Sequence, residues 1–391
     1  AGFAINEQGA AATGRACAVT AVADTPSAVY YNPAGLAFQE GLGLELGDTL
    51  IFPLASHEDP GTGTVTDAEF NVFYPPSLYL SYLVQEKVAL AFGFFVPYGL
   101  GVEWPRGWLG FQEVEHIALQ VFTLNPAIAW SPAAWLSIGG GVNIAYATVE
   151  LAKGINFIDE HGEFEAAGKA LGFGGNAGLL MKFWGGRFNF GLNYRSSVSL
   201  DFAGDGDFTV PDTFGSLLED QPLKTSLTLP HVLTIGFAGR PIEMLSISLD
   251  LTVTGWSSFE EFGIEFPEDI DRDEDEKLTS IEPRNWRNVI AVRMGAEVTP
   301  KKWLAVRAGL AYDQSPSPDS TLSPTLPDSS RILVAAGAGF NLPRGFVIDV
   351  AYMYVHMLER TASGESFPGT YNASAHLIGL SFGYRWVKKK K

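Results

Sequence analysis

The sequence is poor in cysteine, in basic residues and in long apolar runs. Cys17 is its one cysteine, which excludes an intramolecular disulfide framework and a cysteine-ligated zinc site. Across 391 residues, 26 Lys and Arg face 44 Asp and Glu, and the net charge of -18 excludes the basic surface that nucleic acid requires. No run of about 18 consecutive apolar residues occurs, so the sequence predicts no membrane-spanning helix.

Charged residues are scarce as well, at 18% of the chain against a typical value of about 25%. Glycine and aromatic residues are abundant instead, with 43 Gly and an aromatic fraction of 13%. A hydrophobic fraction of 46% is enough to bury a core, which excludes an intrinsically disordered chain. An acidic chain that is rich in glycine and aromatics, without a spanning helix, favours a β-barrel.

Apolar residues alternate with small or polar residues in many segments. In 303–313, Val306 and Leu310 share one face, whereas Arg307 and Gly309 share the other. The same alternation occurs at 77–84, 88–97, 117–130, 135–149, 187–203, 286–298, 346–358 and 372–387. Membrane-spanning β-strands have this pattern because one face meets lipid and the other faces the lumen. Soluble sandwiches and propellers, the alternatives, place their apolar faces inside.

The connections between these segments alternate between short and long. Short turns fall at 85–87, 132–134, 185–186, 240–243, 299–301 and 342–345. Longer polar or Pro/Gly-rich stretches fall at 54–69, 98–115, 152–168, 204–222, 259–283, 314–329 and 359–371. Seven long and six short connections join about fourteen strands, and single-chain bacterial barrels have an even number. We therefore predict an all-β transmembrane barrel of about 14 antiparallel strands with periplasmic turns and extracellular loops.

The N-terminal segment lacks this alternation and is rich in Ala and Gly. Residues 24–27 are typical of a helix start, and Asn32-Pro33 predicts the end of that helix. We predict that 1–42 form a small, partly helical hatch, which plugs the lumen of a barrel formed by 43–391. A flexible periplasmic tail is the alternative.

Several stretches of the chain match one family in collinear order. They are AGFAINEQGA at 1–10, YYNPAGLA at 30–37, VPYGLGVEWP at 96–105, TGWSSF at 254–259, YDQSP at 312–316 and LPDSSR at 326–331. Together they resemble the FadL/TodX family of outer-membrane transporters for long-chain fatty acids and other hydrophobic compounds. One departure is the final SFGYRWVKKKK, because family barrels usually stop on an aromatic residue.

The resemblance implies a hatch that gates the lumen and a lateral gap in the barrel wall. The NPA motif of the hatch corresponds to Asn32, Pro33 and Ala34. The gap is implied at a kinked third strand, which corresponds to 88–97. Gly93 and Pro97 are the candidate pleat breakers of that strand.

The resemblance also implies a hydrophobic capture groove among the extracellular loops. This groove corresponds to loops 98–115 and 152–168. Its candidate lining residues are Leu100, Val102, Trp104, Trp108, Leu109 and Phe111. The first loop is unusually apolar for an exposed connection, which independently indicates a binding surface. Packing of the loop on itself is the alternative.

The function that we predict is passive outer-membrane transport of hydrophobic small molecules such as long-chain fatty acids. Ligand would pass from the loop groove through a hatch-gated lumen pocket to the lateral gap. Uptake of monoaromatic hydrocarbons by the same route and a general diffusion porin are the alternatives. We expect a monomer without a cofactor, in contact with membrane lipid and lipopolysaccharide. The chain starts at Ala1 without a signal peptide, so we expect a mature product of signal-peptide cleavage.

Three arginines on predicted lumen faces are candidates for binding a ligand carboxylate. They are Arg195, Arg293 and Arg307. A guanidinium group binds a carboxylate bidentately, so each could hold the head group of a fatty acid. Pairing with the hatch or with lumen carboxylates such as Glu297, Asp313 and Asp349 is the favoured alternative.

Motifs for catalysis and metal binding are weak. The histidines show no HExxH spacing and no GxSxG elbow occurs, so an enzyme is the least favoured class. Asp271, Asp273, Asp275 and Glu282 fall at positions 1, 3, 5 and 12 of a calcium-loop template. Glu276 occupies the sixth position, which requires glycine. We favour a solvated acidic loop over a calcium site that bridges to lipopolysaccharide.

Overall fold

Twenty β-strands form one sheet in the computed structural model, which describes residues 2–157, 160–211, 218–266, 279–363 and 367–387. The strands are β1 (Leu42–Glu58), β2 (Val65–Asp67), β3 (Pro76–Gln85), β4 (Val88–Glu103), β5 (His116–Ala133), β6 (Leu136–Phe157), β7 (Glu160–Phe183), β8 (Phe188–Arg195), β9 (Val198–Thr209), β10 (Gln221–Leu229), β11 (Val232–Ile242), β12 (Leu245–Thr254), β13 (Glu261–Glu265), β14 (Thr279–Pro283), β15 (Val289–Lys301), β16 (Leu304–Asp313), β17 (Arg331–Asn341), β18 (Phe346–Met357), β19 (Arg360–Ala362) and β20 (Gly369–Trp386). The helices are α1 (Ala10–Thr13) and α2 (Ala28–Tyr31), and 3₁₀ turns lie at Pro33–Phe38, Trp184–Gly186, Trp256–Ser258 and Pro343–Gly345. No helix in these ranges is long and apolar enough to cross a membrane.

The sheet is antiparallel and closes on itself. β1 pairs with β20 along its whole length, from Leu42 opposite Trp386 to Glu58 opposite Thr370. Four crossings of the wall are each divided into two consecutive strands, namely β8 followed by β9, β10 by β11, β12 by β13, and β14 by β15. With the short loop strands β2 and β19 set aside, the described strands make fourteen crossings. The predicted barrel of fourteen antiparallel strands is confirmed.

The two faces of the wall differ as the alternation predicts. On β16, the side chains of Val306 and Leu310 are about half exposed, whereas Ala305 and Ala311 are buried against the interior. Exposed tryptophans lie at or beside the short turns, namely Trp130, Trp135, Trp184, Trp303 and Trp386. An apolar outer band with an aromatic girdle is typical of barrels that cross a lipid bilayer.

Some strands are longer, and one is shorter, than the alternation predicts. β4 continues to Glu103, inside the predicted loop 98–115, and β6 and β7 stay paired through most of the predicted loop 152–168. The contrast between apolar and polar positions is lost there, although the backbone pairing continues. The predicted strand 187–203 is divided into β8 and β9, and at the break the Ser196 hydroxyl accepts a hydrogen bond from Gly175.

Residues 2–41 lie inside the barrel. α1 packs against β17, β18 and β20, and the Ala10 N–H donates to the Ser381 hydroxyl on β20 at 3.0 Å. α2 is a single turn, Ala28–Tyr31, and Asn32, where the sequence predicts the end of the helix, is its C-cap. β1 begins directly after this segment, at Leu42. These contacts place the segment against the inner face of the wall, and its role as a plug of the lumen stays a prediction.

Glycines on the inner face of the wall let this segment approach closely. A Cβ atom at Gly178 would overlap Asn32 Oδ1, and one at Gly139 would lie 2.6 Å from the carbonyl carbon of Pro33. Similar contacts with the segment occur at Gly191, Gly236, Gly295, Gly309, Gly337 and Gly379. The glycine content of the chain thus serves the contact between wall and segment.

Ala16 and Cys17 adopt left-handed backbone conformations, with φ of 49° and 61°. The Cys17 N–H donates to the Ala12 carbonyl at 2.9 Å, and the thiol lies 3.8 Å from the Tyr31 hydroxyl. Both side chains are buried. A left-handed conformation costs about 1–2 kcal/mol for a residue with a Cβ. The packing of the wall around this turn therefore holds it in place.

Candidate functional site

The barrel wall is interrupted where β3 ends. The pairing of β1 with β3 stops at Asp48 opposite Pro76, and the pairing of β3 with β4 stops at Leu78 opposite Phe94. β1 and β4 both continue towards the long-loop end of the barrel without β3 between them. Their edges therefore face each other across a gap.

Prolines on the strands that border the gap account for it. Pro53 lies in β1, Pro75 and Pro76 lie at the start of β3, and Pro97 lies in β4. Proline has no N–H to donate to a neighbouring strand, so it is confined to strand edges and bulges. A regular ladder of hydrogen bonds cannot close the wall here.

β4 is kinked at one of the two predicted positions. Its register against β5 shifts between Phe95 and Tyr98, and Pro97 lies within the resulting bulge. Gly93 pairs regularly with Asn125 instead. The absence of a side chain at Gly93 makes room for the hatch, because a Cβ there would lie 2.9 Å from a methyl group of Val29.

The first residues of the chain occupy the edge of β4 that β3 leaves free. The Ile5 N–H donates to the Pro97 carbonyl at 2.8 Å, and the Gly99 N–H donates to the Phe3 carbonyl at 2.9 Å. Ala4 is paired in antiparallel fashion with Tyr98. The N-terminus thus replaces β3 as the partner of β4 along this edge.

Phe73 lies across the gap from the side of β1. Its backbone exchanges two hydrogen bonds with Ile51, at 2.8 and 3.0 Å. Its ring reaches Gly101 on β4, where a Cβ atom would overlap it. A single aromatic ring therefore lies where the strand pairing is missing.

A cavity of about 690 Å³ lies at the gap. Its lining includes Leu333, Ala375 and Leu377, which face the lumen, and also Leu54 and Phe122, which face outwards. One continuous space therefore touches both faces of the wall. Pockets of 300–1,000 Å³ are typical of sites for small organic molecules.

Two buried ion pairs lie at the lumen end of this cavity. Arg293 lies 3.3 Å from Asp313, and Arg331 lies 3.6 Å from Asp328. Gly2 joins the second pair, since its N–H donates to Asp328 at 3.0 Å and its carbonyl accepts from Arg331 at 2.9 Å. The sequence prediction identified Arg293 but not Arg331, which lies at the end of the LPDSSR stretch.

Arg195 lies beside the cavity and is bound by the hatch. It donates to Asn143 Oδ1 at 2.9 Å and to the Tyr30 carbonyl at 3.1 Å. Its guanidinium carbon lies 4.8 Å from the centre of the Tyr30 ring. Burial raises the pKa of Tyr30 to about 12, so this phenol is neutral at physiological pH.

Arg307 lies at the opposite end of the lumen, near the short turns. It binds Glu297 at 2.7 Å and Asp349 at 2.5 Å. Arg15 of the hatch binds the same oxygen of Glu297 at 2.9 Å. Of the three predicted arginines, only Arg293 lines the large cavity, and the prediction that they bind a ligand carboxylate stays a prediction.

The predicted capture residues are divided between the cavity and a packed loop cluster. Leu100 and Val102 line the large cavity. Trp104 and Trp108 are buried and stack with ring centres 4.3 Å apart. Phe111 packs against Gly154 in the same cluster, whereas Leu109 is 61% exposed. An open groove lined by all six residues is not present, and their role in capture stays a prediction.

A second, smaller cavity of about 50 Å³ lies between the loop cluster and the lumen. Its apolar lining includes Phe3, Leu100, Leu119, Phe202, Leu227 and Phe259. Phe3 packs edge-on against Trp256 at a centre distance of 4.7 Å. The N-terminus thus contributes to this apolar pocket as well as to the edge of β4.

The NPA residues dock the hatch on β6 and β7. Asn32 donates to the carbonyls of Thr20 at 2.8 Å and Leu179 at 3.1 Å. The Ala34 carbonyl accepts from the Ser137 hydroxyl at 2.7 Å, and Pro33 is buried. The motif therefore ties two parts of the hatch to the wall.

Asp271, Asp273 and Asp275 of the predicted calcium loop lie outside the described residues. Glu282 lies in β14 and pairs with Arg284 at 2.6 Å. In the part of the chain that the structure describes, no group of three or more His, Cys, Asp or Glu could hold a metal ion.

Comparison with known sequences places these features in one family. The family model described as outer membrane protein transport protein (OMPP1/FadL/TodX) matches residues 1–386. A 47 kDa outer membrane protein of Pasteurella multocida is 25% identical and covers 99% of this chain and 94% of its own. A long-chain fatty acid transport protein of Escherichia coli is 24% identical, with coverage of 98% and 94%.

Solved structures share the fold. A FadL homologue of Pseudomonas aeruginosa has a TM-score of 0.87 at 20% identity, with coverage of 98% of this chain and 99% of that chain. The toluene transporter TodX of Pseudomonas putida has a TM-score of 0.75 at 17% identity, with coverage of 93% and 94%. At these identities the likeness concerns the fold alone.

Proposed function

Because the chain belongs to the OMPP1/FadL/TodX family of outer membrane transport proteins, we propose that it carries long-chain fatty acids or related amphiphiles laterally into the membrane. As a family member it is a transporter of hydrophobic compounds in the outer membrane of Gram-negative bacteria, not an enzyme. The proposal concerns the ligand, the gating by the hatch and the exit route.

The observation that carries the proposal is the cavity of about 690 Å³ that touches both the lumen and the outer face. Its walls are mostly apolar, and two arginines, Arg293 and Arg331, lie at its lumen end. An amphiphile fits this division, with its chain along the apolar walls and its head group near the arginines. Burial of the chain supplies about 0.8 kcal/mol per methylene.

Capture begins at the extracellular loops in this proposal. Leu109 is exposed there, and Leu100 lines both the large cavity and the small apolar pocket. The stacked Trp104 and Trp108 form the packed base beside this route. Ligand then moves along a continuous apolar path without crossing a polar layer.

Exit is gated by the hatch. Residues 3–5 bind the free edge of β4 through two backbone hydrogen bonds, and Phe3 also fills the apolar pocket. A ligand in that pocket competes with Phe3 for the same space. It favours the state in which the N-terminus has left β4, and that state opens the gap.

The experiments also distinguish two alternative functions from this proposal. Arg293 and Arg331 are paired with carboxylates, which also suits an uncharged ligand such as a monoaromatic hydrocarbon. A general diffusion porin would conduct ions steadily, whereas in our proposal the hatch closes the lumen and conductance is low. Conductance in planar bilayers tests the porin, and ligand competition tests the hydrocarbon.

The main experiment measures uptake of labelled oleate by a Gram-negative strain that lacks its own fatty-acid transporter. In a Cys17→Ser background, Ala4→Cys with Tyr98→Cys places two thiols at a paired position on either side of the hydrogen-bonded edge. Oxidation is expected to abolish uptake and a reductant to restore it, while oleate binding to the purified protein persists.

The single-cysteine variants are the matched controls, since they carry the same substitutions without the lock. Unchanged uptake after oxidation would contradict gating by the N-terminus. Uptake of toluene but not oleate would keep the route and change the ligand. Steady ion conductance by the wild type would favour the porin.

A further inference from the structure

An acidic residue lies on the outward-facing side of β1 at the foot of the gap. Asp48 lies on the face of β1 that also carries Leu46 and Leu50, whereas the neighbouring Thr49 is buried and its hydroxyl donates to the Glu7 carbonyl of the hatch. Asp48 lies six residues beyond Leu42, the first residue of β1. With a strand rise of about 3.3 Å and a tilt of about 40°, this is roughly 15 Å into an apolar band about 25 Å tall.

The surroundings of Asp48 on the outer face are apolar. Its partner across β20 is Leu380, which is 38% exposed, and its partner across β3 is Pro76. Among the described residues, no group donates a hydrogen bond to its buried Oδ1 atom. An ionisable side chain at membrane depth is costly, so it indicates a functional role.

The position of Asp48 in the wall indicates what that role is. Pairing between β1 and β3 ends at Asp48, so this side chain lies at the lower border of the gap. It also lines the cavity of about 690 Å³, together with Tyr74 and Pro75. A ligand that leaves through the gap passes this carboxyl group last.

We infer that Asp48 is the hydrogen-bond acceptor that receives the head group of a departing ligand, and that it makes exit selective for head groups with an O–H donor. The inference rests on the proposed lateral exit of amphiphiles. A fatty acid enters hydrocarbon as the neutral acid, after its carboxylate has taken up a proton from water, because a bare carboxylate is strongly disfavoured there. Its O–H then donates to a carboxyl oxygen of Asp48, which keeps acceptor capacity in either protonation state.

This arrangement ranks ligands by their head groups. A carboxylic acid or a primary alcohol carries an O–H donor, whereas a methyl ester and an aromatic hydrocarbon carry none. At the lumen end, Arg293 and Arg331 lie in ion pairs with Asp313 and Asp328, so a head group there meets both donors and acceptors, whereas Asp48 at the gap offers acceptor oxygens.

The test compares four ligands of matched chain length or apolar character in Asp48→Leu and Asp48→Asn. The ligands are labelled oleic acid, oleyl alcohol, methyl oleate and toluene, offered to cells that lack their own transporter. In Asp48→Leu we expect uptake of the acid and the alcohol to fall about tenfold, while uptake of the ester and toluene stays within about twofold of wild type. Asp48→Asn keeps an acceptor oxygen and is expected to lie between.

The substitution to leucine suits a lipid-facing site, so loss of the fold is not expected, and urea unfolding of each variant checks it. An equal loss of all four ligands would indicate a structural role and overturn the inference. Unchanged uptake of the acid in Asp48→Leu would overturn it too, while the proposed transport stands. If the wild type takes up no amphiphile, or if the Ala4–Tyr98 lock leaves uptake unchanged, the proposed function fails and the inference with it.

Discussion

Two parts of the barrel wall hold the hatch in different ways. Along β16, β17 and β18 the strands pair without interruption, and charged side chains fix the hatch through Arg15, Glu297 and Arg307. Along β1, β3 and β4 the pairing fails at prolines, and two backbone hydrogen bonds from residues 3–5 take its place. The first, anchored part holds the hatch by ion pairs, whereas the second, interrupted part holds it by backbone hydrogen bonds.

The anchored part is expected to respond most strongly to mutation. Arg307→Ala leaves Glu297 without one of its two arginines and Asp349 without its observed ion pair, and both carboxylates are largely buried. Removing one partner from a buried ion pair typically costs about 3–5 kcal/mol, and we expect a loss of that size in the free energy of unfolding. Urea titration of the protein folded in lipid vesicles measures it.

Arg240→Ala is the matched control, because Arg240 is exposed at a short turn. It is expected to change the unfolding free energy by less than about 0.5 kcal/mol. Equal effects of the two substitutions would mean that the anchored part does not depend on its charges.

The interrupted part is expected to respond through transport rather than stability. Phe73→Ala removes the ring that spans the gap between Ile51 and Gly101. We expect faster release of ligand into lipid, by a few-fold, because the exit barrier falls by on the order of 1 kcal/mol. Transfer of a fluorescent fatty acid from the reconstituted protein to vesicle lipid gives the rate.

Phe70→Ala serves as the control for Phe73→Ala. Phe70 lies on the same loop, is 65% exposed and stacks on Phe52 with ring centres 6.4 Å apart. Its loss leaves the gap covered, so the release rate should stay at the wild-type value. A slower release in Phe73→Ala would show that the ring guides ligand instead of obstructing it.

The smallest effect on stability is expected from a change of pH at Glu113, in the loop that also contains Trp104 and Trp108. Partial burial raises the pKa of Glu113, and Glu282 adds to this, although Lys153 and Arg284 oppose it. A raised folded-state pKa means that ionisation opposes folding, so the loop is most stable at low pH and loses stability as the pH rises through that pKa. The protection factor of the Val114 amide, which donates to Gly110, should fall across this range after division by the intrinsic exchange rate at each pH.

Glu113→Gln should make this local stability nearly independent of pH, because the side chain no longer ionises. The change is small, since Glu113 is only partly buried and solvent screens its charge. Glu86→Gln, in the exposed turn before β4, is the control and should leave the exchange rates unchanged. An unchanged pH profile in Glu113→Gln would assign the dependence to another group.

Much of the fold could be predicted from the sequence, because lipid imposes a strict alternation on strands. Val306, Arg307 and Leu310 illustrate this, and the short turns determine the number of crossings. The prediction failed at the ends of β6 and β7, which continue beyond the apolar band. There lipid no longer separates the two faces, so the pattern that identifies a strand disappears.

The site was less predictable because it depends on contacts between distant segments. Pro97 could be identified as a pleat breaker from its chemistry alone. The contact of Gly2 with Asp328 and Arg331 could not be predicted, because no local sequence pattern indicates a contact between residues more than 300 positions apart. Asp48 did leave a signal, namely an acid among the apolar residues of one strand face.

The single thiol of the chain, Cys17, lies in the hatch. Cys17 is buried in the left-handed turn of the hatch, and this burial raises its pKa well above the usual range of a thiol. A protonated, buried thiol does not react with alkylating reagents. Under the proposed gating, its rate of alkylation would therefore measure how often the hatch leaves the wall.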